Sequence, residues 1–132
     1  MDNLAVNLGA DYKTWANDEV FLAVQIETAQ GLANVDAIMA TDGVDGCLVG
    51  PADLALSLGV AQGSPEHTAG IHRVLQACRQ AGKIAGMFAG TTAIARRWLD
   101  EGCQFVTVSA DARLLERATQ EIVHELGAVT GK

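Results

Sequence analysis

The sequence predicts an α/β fold built from four consecutive β/α units. Three observations carry that expectation. Short apolar runs rich in strand formers occur at 21–26 (FLAVQI), 46–50 (GCLVG), 84–89 (IAGMFA) and 105–109 (FVTVS). Each is followed by a stretch with apolar residues at helical spacing. Glycine or proline marks most of the joins between them. Strands alternating with helices imply a parallel sheet with helices packed against it.

The first run, 21–26, leads into residues 29–41, where Leu32, Val35, Ile38 and Met39 recur at helical spacing and Asp42-Gly43 ends the helix. The second run, 46–50, breaks at Gly50-Pro51 into a turn and a short helix over 54–58. Ser64-Pro65 then opens a longer helix, serine as N-cap and proline at the first helical position. Ile71, Val74, Leu75 and Cys78 mark its buried face, and Gly82 suits the residue just past its end. After the third run, Thr91 or Thr92 caps a helix through Ile94, Ala95 and Trp98 to Leu99, stopped by Gly102. The fourth run precedes a last helix from about Ala112 to Leu126, with Leu115, Ala118, Ile122 and Val123 expected inward.

Right-handed crossovers would curl these units in one direction. A complete (β/α)8 barrel takes ~250 residues. At 132 residues and four units the chain is expected to be a single domain resembling half of such a barrel. An open doubly wound sheet is the alternative. The turns E-T-A-Q-G and G-P-A-D match neither G-x-G-x-x-G nor a P-loop, so no nucleotide fingerprint is present.

Composition narrows the partners. Lys plus Arg number 9 and Asp plus Glu 16, a net charge of −7. With no basic cluster to offset it, that excess disfavours nucleic acid and anionic membranes, but it suits a small ligand or a divalent cation. Cys47, Cys78 and Cys103 are far apart in apolar contexts and read as buried reduced thiols rather than a zinc site or a disulfide framework. The opening MDNLAVNLGADYKTW lacks a basic n-region and a long apolar h-region, and no run reaches the ~20 apolar residues of a membrane helix. The expectation is a cytoplasmic protein.

Ligands of α/β folds gather at the C-terminal ends of the strands. There the first run ends on Glu27, and Asp53 follows the second. Consecutive strands are usually neighbours, ~4.8 Å apart, which puts both carboxylates on one rim. With water and substrate oxygens they suit Mg²⁺ or Mn²⁺. Gln25, two residues before Glu27, shares its face, while Val24 and Ile26 face the helices. The turn Gly50-Pro51-Ala52-Asp53 leaves the first helical amides, at Ala52 and Asp53, free for a substrate carboxylate, with Gly50 allowing close approach. Each residue also has a plainer reading: Asp53 as a helix cap, Glu27 as a partner of the helix dipole, Gln25 as a buried amide. His67, His72 and His124 read as surface or helix-packing residues, and Trp15 and Trp98 as packing residues. None of Lys13, Lys83 and Lys132 is placed for a Schiff base, and Ser57, Ser64 and Ser109 lack a His/Asp arrangement.

VQIET followed by GVDGCLVGPADLALSLG resembles the class II, metal-dependent pyruvate aldolases of the HpcH/HpaI aldolase family. The similarity extends from about Tyr12 to the last helix, with QACRQAGKIAGMF and RRWLDEGCQFVTVSAD resembling the third and fourth units. The resemblance implies a (β/α)8 barrel and a lyase that makes or cleaves a carbon–carbon bond from pyruvate enolate and an aldehyde. It implies Glu27 and Asp53 as ligands of a divalent metal (Mg²⁺, Mn²⁺ or Co²⁺) and Gln25 as a catalytic residue in the pyruvate pocket. It also implies Gly50, Pro51, Ala52 and Asp53 as the turn binding the pyruvate carboxylate, and Phe88 on the aldehyde side.

The chain resembles only the second half of the family's barrel. The first half carries an arginine that polarises the keto oxygen and a histidine–aspartate pair, and nothing here matches them. Arg96, Arg97 and Arg113 do not occupy that arginine's position. Two other expectations therefore stand beside an aldolase. One is a non-catalytic half-barrel or assembly subunit that binds a metal or small oxo-acid. The other is a citrate-lyase-β-like acyl-CoA lyase, which the negative charge disfavours. A half-barrel leaves strand edges and an apolar face open, so the chain is expected to form a homo-oligomer or to pair with a missing N-terminal half.

Overall fold

The computed structural model describes Gly9 and residues 11–129, with side chains through Gly127. Most of the N-terminal stretch considered above for a leader, and Lys132, lie outside the described residues. The elements are α1 (Tyr12–Glu19), β1 (Ala23–Ile26), α2 (Ala29–Ala33), α3 (Val35–Met39), β2 (Gly46–Val49), α4 (Pro51–Leu58), α5 (Pro65–Ala81), β3 (Ile84–Ala89), α6 (Thr92–Asp100), β4 (Phe105–Val108) and α7 (Asp111–Val129).

The strands form one parallel sheet in the order β1-β2-β3-β4. A doubly wound sheet reverses its order partway, so the sequential order selects the barrel-type arrangement of four β/α units. The register aligns Gln25 with Leu48, Leu48 with Gly86, and Gly86 with Phe105. These residues face one side of the sheet. Ile26, Val49 and Met87, one residue on in each strand, face the other and are fully buried. Helices cover that second side: Val35 and Met39 of α3, Leu54 of α4, Ile71, Val74 and Cys78 of α5, and Trp98 of α6 complete its core.

The first side is largely open. The Phe21 and Phe105 rings meet edge-on across it, 6.4 Å apart, although β1 and β4 are the two outer strands. The sheet is therefore curved, concave toward this side. Phe105 lies over Gly86, where a Cβ would come within 2.8 Å of its ring. Nearby, Thr107 Oγ1 is buried with no hydrogen-bond partner among the described residues.

The helix expected over 29–41 is two short helices. Asn34 leaves the helical region (φ −101°, ψ 10°), and its Nδ2 donates to the Gln30 carbonyl at 2.9 Å. That is local side-chain competition with the helical ladder. The short helix expected to begin at Leu54 begins at Pro51, with Gly50 as N-cap. α5 follows the expectation closely: Ser64 Oγ accepts from the His67 N–H at 3.2 Å, and Gly82 takes the left-handed conformation at φ 66°. α1 went unpredicted.

The clearest correction concerns α7. Leu115, Ala118, Ile122 and Val123 were expected inward, yet all are exposed, Leu115 at 70%, Ile122 at 57% and Val123 at 63%. Helical spacing reveals an apolar stripe but not what covers it, and no described element lies over this one.

All three cysteines are free and buried. The Cys47 and Cys78 sulfurs are 3.3 Å apart, and that contact together with burial raises the Cys47 thiol. Burial chiefly pushes Cys103 up to about 11, assisted by Cys78 and Glu101. No described helix is long and apolar enough to cross a membrane.

Candidate active site

The C-terminal ends of β1 and β2 are stitched together at Gly50, whose N–H donates to the Ile26 carbonyl at 3.2 Å. Strand alternation places Gln25 on the open face, and Glu27 is the first residue past β1. Both side chains reach Gly50. A Cβ there would lie 3.0 Å from Glu27 Oε2 and 3.1 Å from Gln25 Nε2. Glycine thus leaves room for a carboxylate and an amide to share one small space at the rim.

Gly50 also begins α4. Proline at position 51 has no N–H to satisfy, and no side chain caps this helix. The Ala52 and Asp53 amides fall in the first turn, which lacks intrahelical acceptors. Asp53 carries the acid of that turn and is exposed. The rim therefore presents two carboxylates, one amide side chain and two backbone donors. Among the described residues no group of three or more His, Cys, Asp or Glu side chains could hold a metal ion. A cation here would use the two carboxylates and complete its shell with water or substrate oxygens. The oxygen donors and the space kept clear by Gly50 fit a hard divalent ion of that kind.

Three residues whose roles sequence reasoning missed position this rim. Ser57, on α4, accepts at Oγ from the Ala29 N–H at 2.9 Å, tying the turn after Glu27 to the helix that bears Asp53. Thr28 caps the same turn, accepting from the Gly31 N–H at 2.9 Å. His67, only 2% exposed, fixes the other side. Its Nδ1 accepts from the Gly63 N–H at 3.0 Å, so Nε2 carries the hydrogen and donates to the Pro51 carbonyl at 2.7 Å. A signal for His67 was available: it lies in the first turn of a capped helix whose start returns to this rim. Ser57 gave none, because its partner is 28 residues away.

Phe88, 40% exposed near the end of β3, lines a cavity of about 560 Å³ together with Pro51 and Ala52. The cavity continues between α5 and α6, past His67 and Trp98, so these two residues have surroundings beyond plain packing. Gln25, Glu27 and Asp53 are outside its lining; it begins beside them, at the Pro51–Ala52 turn. Outside this cavity, at the C-terminal end of α6, Glu101 receives Arg97 Nε at 2.8 Å and His72 Nε2 at 2.5 Å, which hold its carboxyl below the usual carboxylate range.

Comparison with known proteins places this geometry. Hydroxypyruvate/pyruvate aldolase from Pseudomonas aeruginosa is 43% identical over 118 residues, covering 88% of this chain and 44% of the relative. The 4-hydroxy-2-oxo-heptane-1,7-dioate aldolase of Shigella sonnei is 39% identical over 121 residues, 89% of this chain and 46% of the relative. The crystal structure of an HpcH/HpaI aldolase/citrate lyase family protein from Burkholderia cenocepacia J2315 superposes with a TM-score of 0.81 at 45% identity, covering 89% of this chain and 46% of that one. The chain thus spans about half the length of the curated relatives it matches. Residues 5–118 match the family described as HpcH/HpaI aldolase/citrate lyase, and to that family the chain belongs.

Proposed function

We propose that this chain carries the metal and 2-oxo-acid subsites of a divalent-metal-dependent aldolase, a carbon–carbon lyase working on pyruvate enolate and an aldehyde. The observation that carries the reading is the convergence of Gln25 and Glu27 over Gly50, beside the uncapped Ala52 and Asp53 amides. Glu27 and Asp53 hold the ion; Mg²⁺, Mn²⁺ and Co²⁺ all suit carboxylate and water oxygens. The bound ion supplies Lewis-acid stabilisation of the charge that develops on the 2-oxo acid. The Ala52 and Asp53 N–H groups receive the substrate carboxylate, and the Gln25 amide orients the oxo group. In the addition direction, the methyl-derived carbon of the enolate bonds to the aldehyde carbon. The aldehyde oxygen takes the displaced electron pair and then a proton. Cleavage is the reverse.

The open concave face, with Phe88 and Phe105 exposed and Thr107 Oγ1 unpaired, supports a second element of the reading. We place a second copy, or a chain bearing the family's other half, over that face. A non-catalytic binding subunit is the competing reading, favoured by the absence, among the described residues, of any group of three or more His, Cys, Asp or Glu able to hold a metal ion.

The test is oxaloacetate decarboxylation and pyruvate aldol addition by the purified chain with Mg²⁺ or Mn²⁺ and with EDTA, beside Glu27→Ala and Asp53→Ala. Loss of even an outer-shell partner of a metal typically costs about 10–100-fold, so each substitution should cost at least that. Wild type no more active than both variants with metal present would overturn the aldolase reading. Retained Mn²⁺ binding, lost in both variants, would then identify a binding subunit.

A further inference from the structure

Among the described residues His67 is the one polar or charged residue in the buried set. No step of the reaction proposed above uses it. A buried imidazole needs partners for both ring nitrogens. Here both are backbone groups: the Gly63 N–H donates to Nδ1, and Nε2 lies 2.7 Å from the Pro51 carbonyl oxygen. Gly63 has a φ of 84°, in the left-handed region that favours glycine, while a Cβ there would meet nothing within 4 Å. The torsion, not space, therefore calls for glycine. It sets the angle between the Gly63 amide and the chain entering α5, where His67 sits. An amide N–H can only donate, so Nδ1 accepts and the ring hydrogen is on Nε2, aimed at Pro51.

That bond falls on one particular peptide. The Pro51 carbonyl and the Ala52 N–H belong to a single planar trans unit and point in opposite directions. Holding the oxygen from the α5 side fixes the direction in which the Ala52 N–H leaves the start of α4, where no side chain caps the helix. Donation to a carbonyl also polarises its peptide and strengthens the N–H as a donor. The Asp53 amide belongs to the next peptide and lacks this hold.

We propose that His67 is a positioning residue: through the Pro51–Ala52 peptide it sets the affinity for the carboxylate of the 2-oxo acid and leaves metal binding unchanged. Both ring bonds go to backbone, so the imidazole acts on the amide and not on the carboxylate side chains of Glu27 and Asp53. The inference rests on the reading above for the identity of the ligand, but it does not require turnover.

The test contrasts His67→Gln with His67→Asn. The glutamine amide nitrogen takes the place of Nε2 and can still donate to Pro51. The asparagine oxygen takes the place of Nδ1 and can still accept from Gly63. Each variant loses one buried hydrogen bond, so a merely structural role would weaken both alike; melting temperatures report that loss. Pyruvate is titrated calorimetrically into the full chain loaded with Mn²⁺, and Mn²⁺ alone is titrated beside it. His67→Asn should bind pyruvate about 3- to 10-fold more weakly than wild type, the span of one hydrogen bond, and His67→Gln within about 2-fold of it. Mn²⁺ affinity should be the same in all three. In NMR spectra without pyruvate, the Ala52 amide signal should move in His67→Asn and stay near its wild-type place in His67→Gln. Equal pyruvate affinity in both variants, or an Mn²⁺ affinity that falls in step, overturns the proposal. Wild type that binds pyruvate yet decarboxylates no oxaloacetate sinks the aldolase reading alone, and the two variants still decide the role of His67. Wild type that binds no pyruvate overturns both.

Discussion

Gly50 has an ordinary backbone conformation, φ −93° and ψ 90°, so its torsions do not demand glycine. The demand comes from Glu27 Oε2 and Gln25 Nε2, which crowd the place of a Cβ at 3.0 and 3.1 Å. Gly50→Ala therefore isolates site geometry from backbone strain. The melting temperature should move by only a few degrees, because the crowding falls largely on side-chain ends that swing away. Mn²⁺ affinity and any turnover should fall on the order of 10-fold, since misplacement by about 1 Å can cost 100-fold. Calorimetric titration with Mn²⁺ checks this, and unchanged affinity would show that the two side chains do not act at Gly50. At this scale the positions of Gln25, Glu27 and Asp53 at the rim were legible, because strand ends and helix starts have local signatures. The bracing role of Ser57 was not, because a side chain that braces a distant turn leaves no periodic trace, whereas His67 had a signal in its place in the first turn of a capped helix.

Among the elements, α5 and α6 are joined by charge as well as packing. Glu101, at the end of α6, receives Arg97 from its own helix and His72 from α5, and the His72 ring also packs edge-on against Trp98 at 5.8 Å. The guanidinium first and the imidazole second hold the Glu101 carboxyl below its usual range. A carboxyl depressed by folding adds stability above its unfolded pKa of ~4.3 and loses it as pH falls through the lower folded value. At pH 7 wild type should exceed Glu101→Gln by no more than about 1 kcal/mol, as befits a partly exposed pair. Urea unfolding at pH 7 and pH 3 should show that gap closing in acid, and a gap constant with pH would remove Glu101 from the interface. The elements themselves were largely readable. α5 has a strong cap and a clean period, β3 is a compact apolar run, and both fall where expected. The division of α2 from α3 was hidden, because Leu32, Val35, Ile38 and Met39 keep helical spacing across the break at Asn34.

For the whole molecule, the strand order follows the chain, and among the described residues the core-forming helices cover one side of the sheet. The other side exposes Phe88 and Phe105, and both outer strands present unpaired backbone groups. Sedimentation velocity over a range of concentrations should show a species larger than the 13.8 kDa chain. Phe105→Asp should shift it toward monomer. A monomer at every concentration would count against closure of the face by a second copy. The four units were legible from alternating periods and from length. The sidedness of the covering was not, since a strand facing an open concavity and one facing a filled barrel carry the same residues.

Helix α7 has a consequence for how the chain unfolds. It is 19 residues long, about 28 Å at 1.5 Å per residue, and every described side chain from Asp111 to Gly127 is exposed. With so little burial, it has little beyond its own backbone ladder to hold it, and isolated helices of this length are marginal in water. Its melting is then a helix–coil process separate from the cooperative loss of the sheet and its covering helices. Far-ultraviolet dichroism would record both events, whereas the fluorescence of Trp98 records only the second. Two probes on one chain would trace different unfolding curves, and the two would merge only in an assembly that covers the stripe from Leu115 to Leu126.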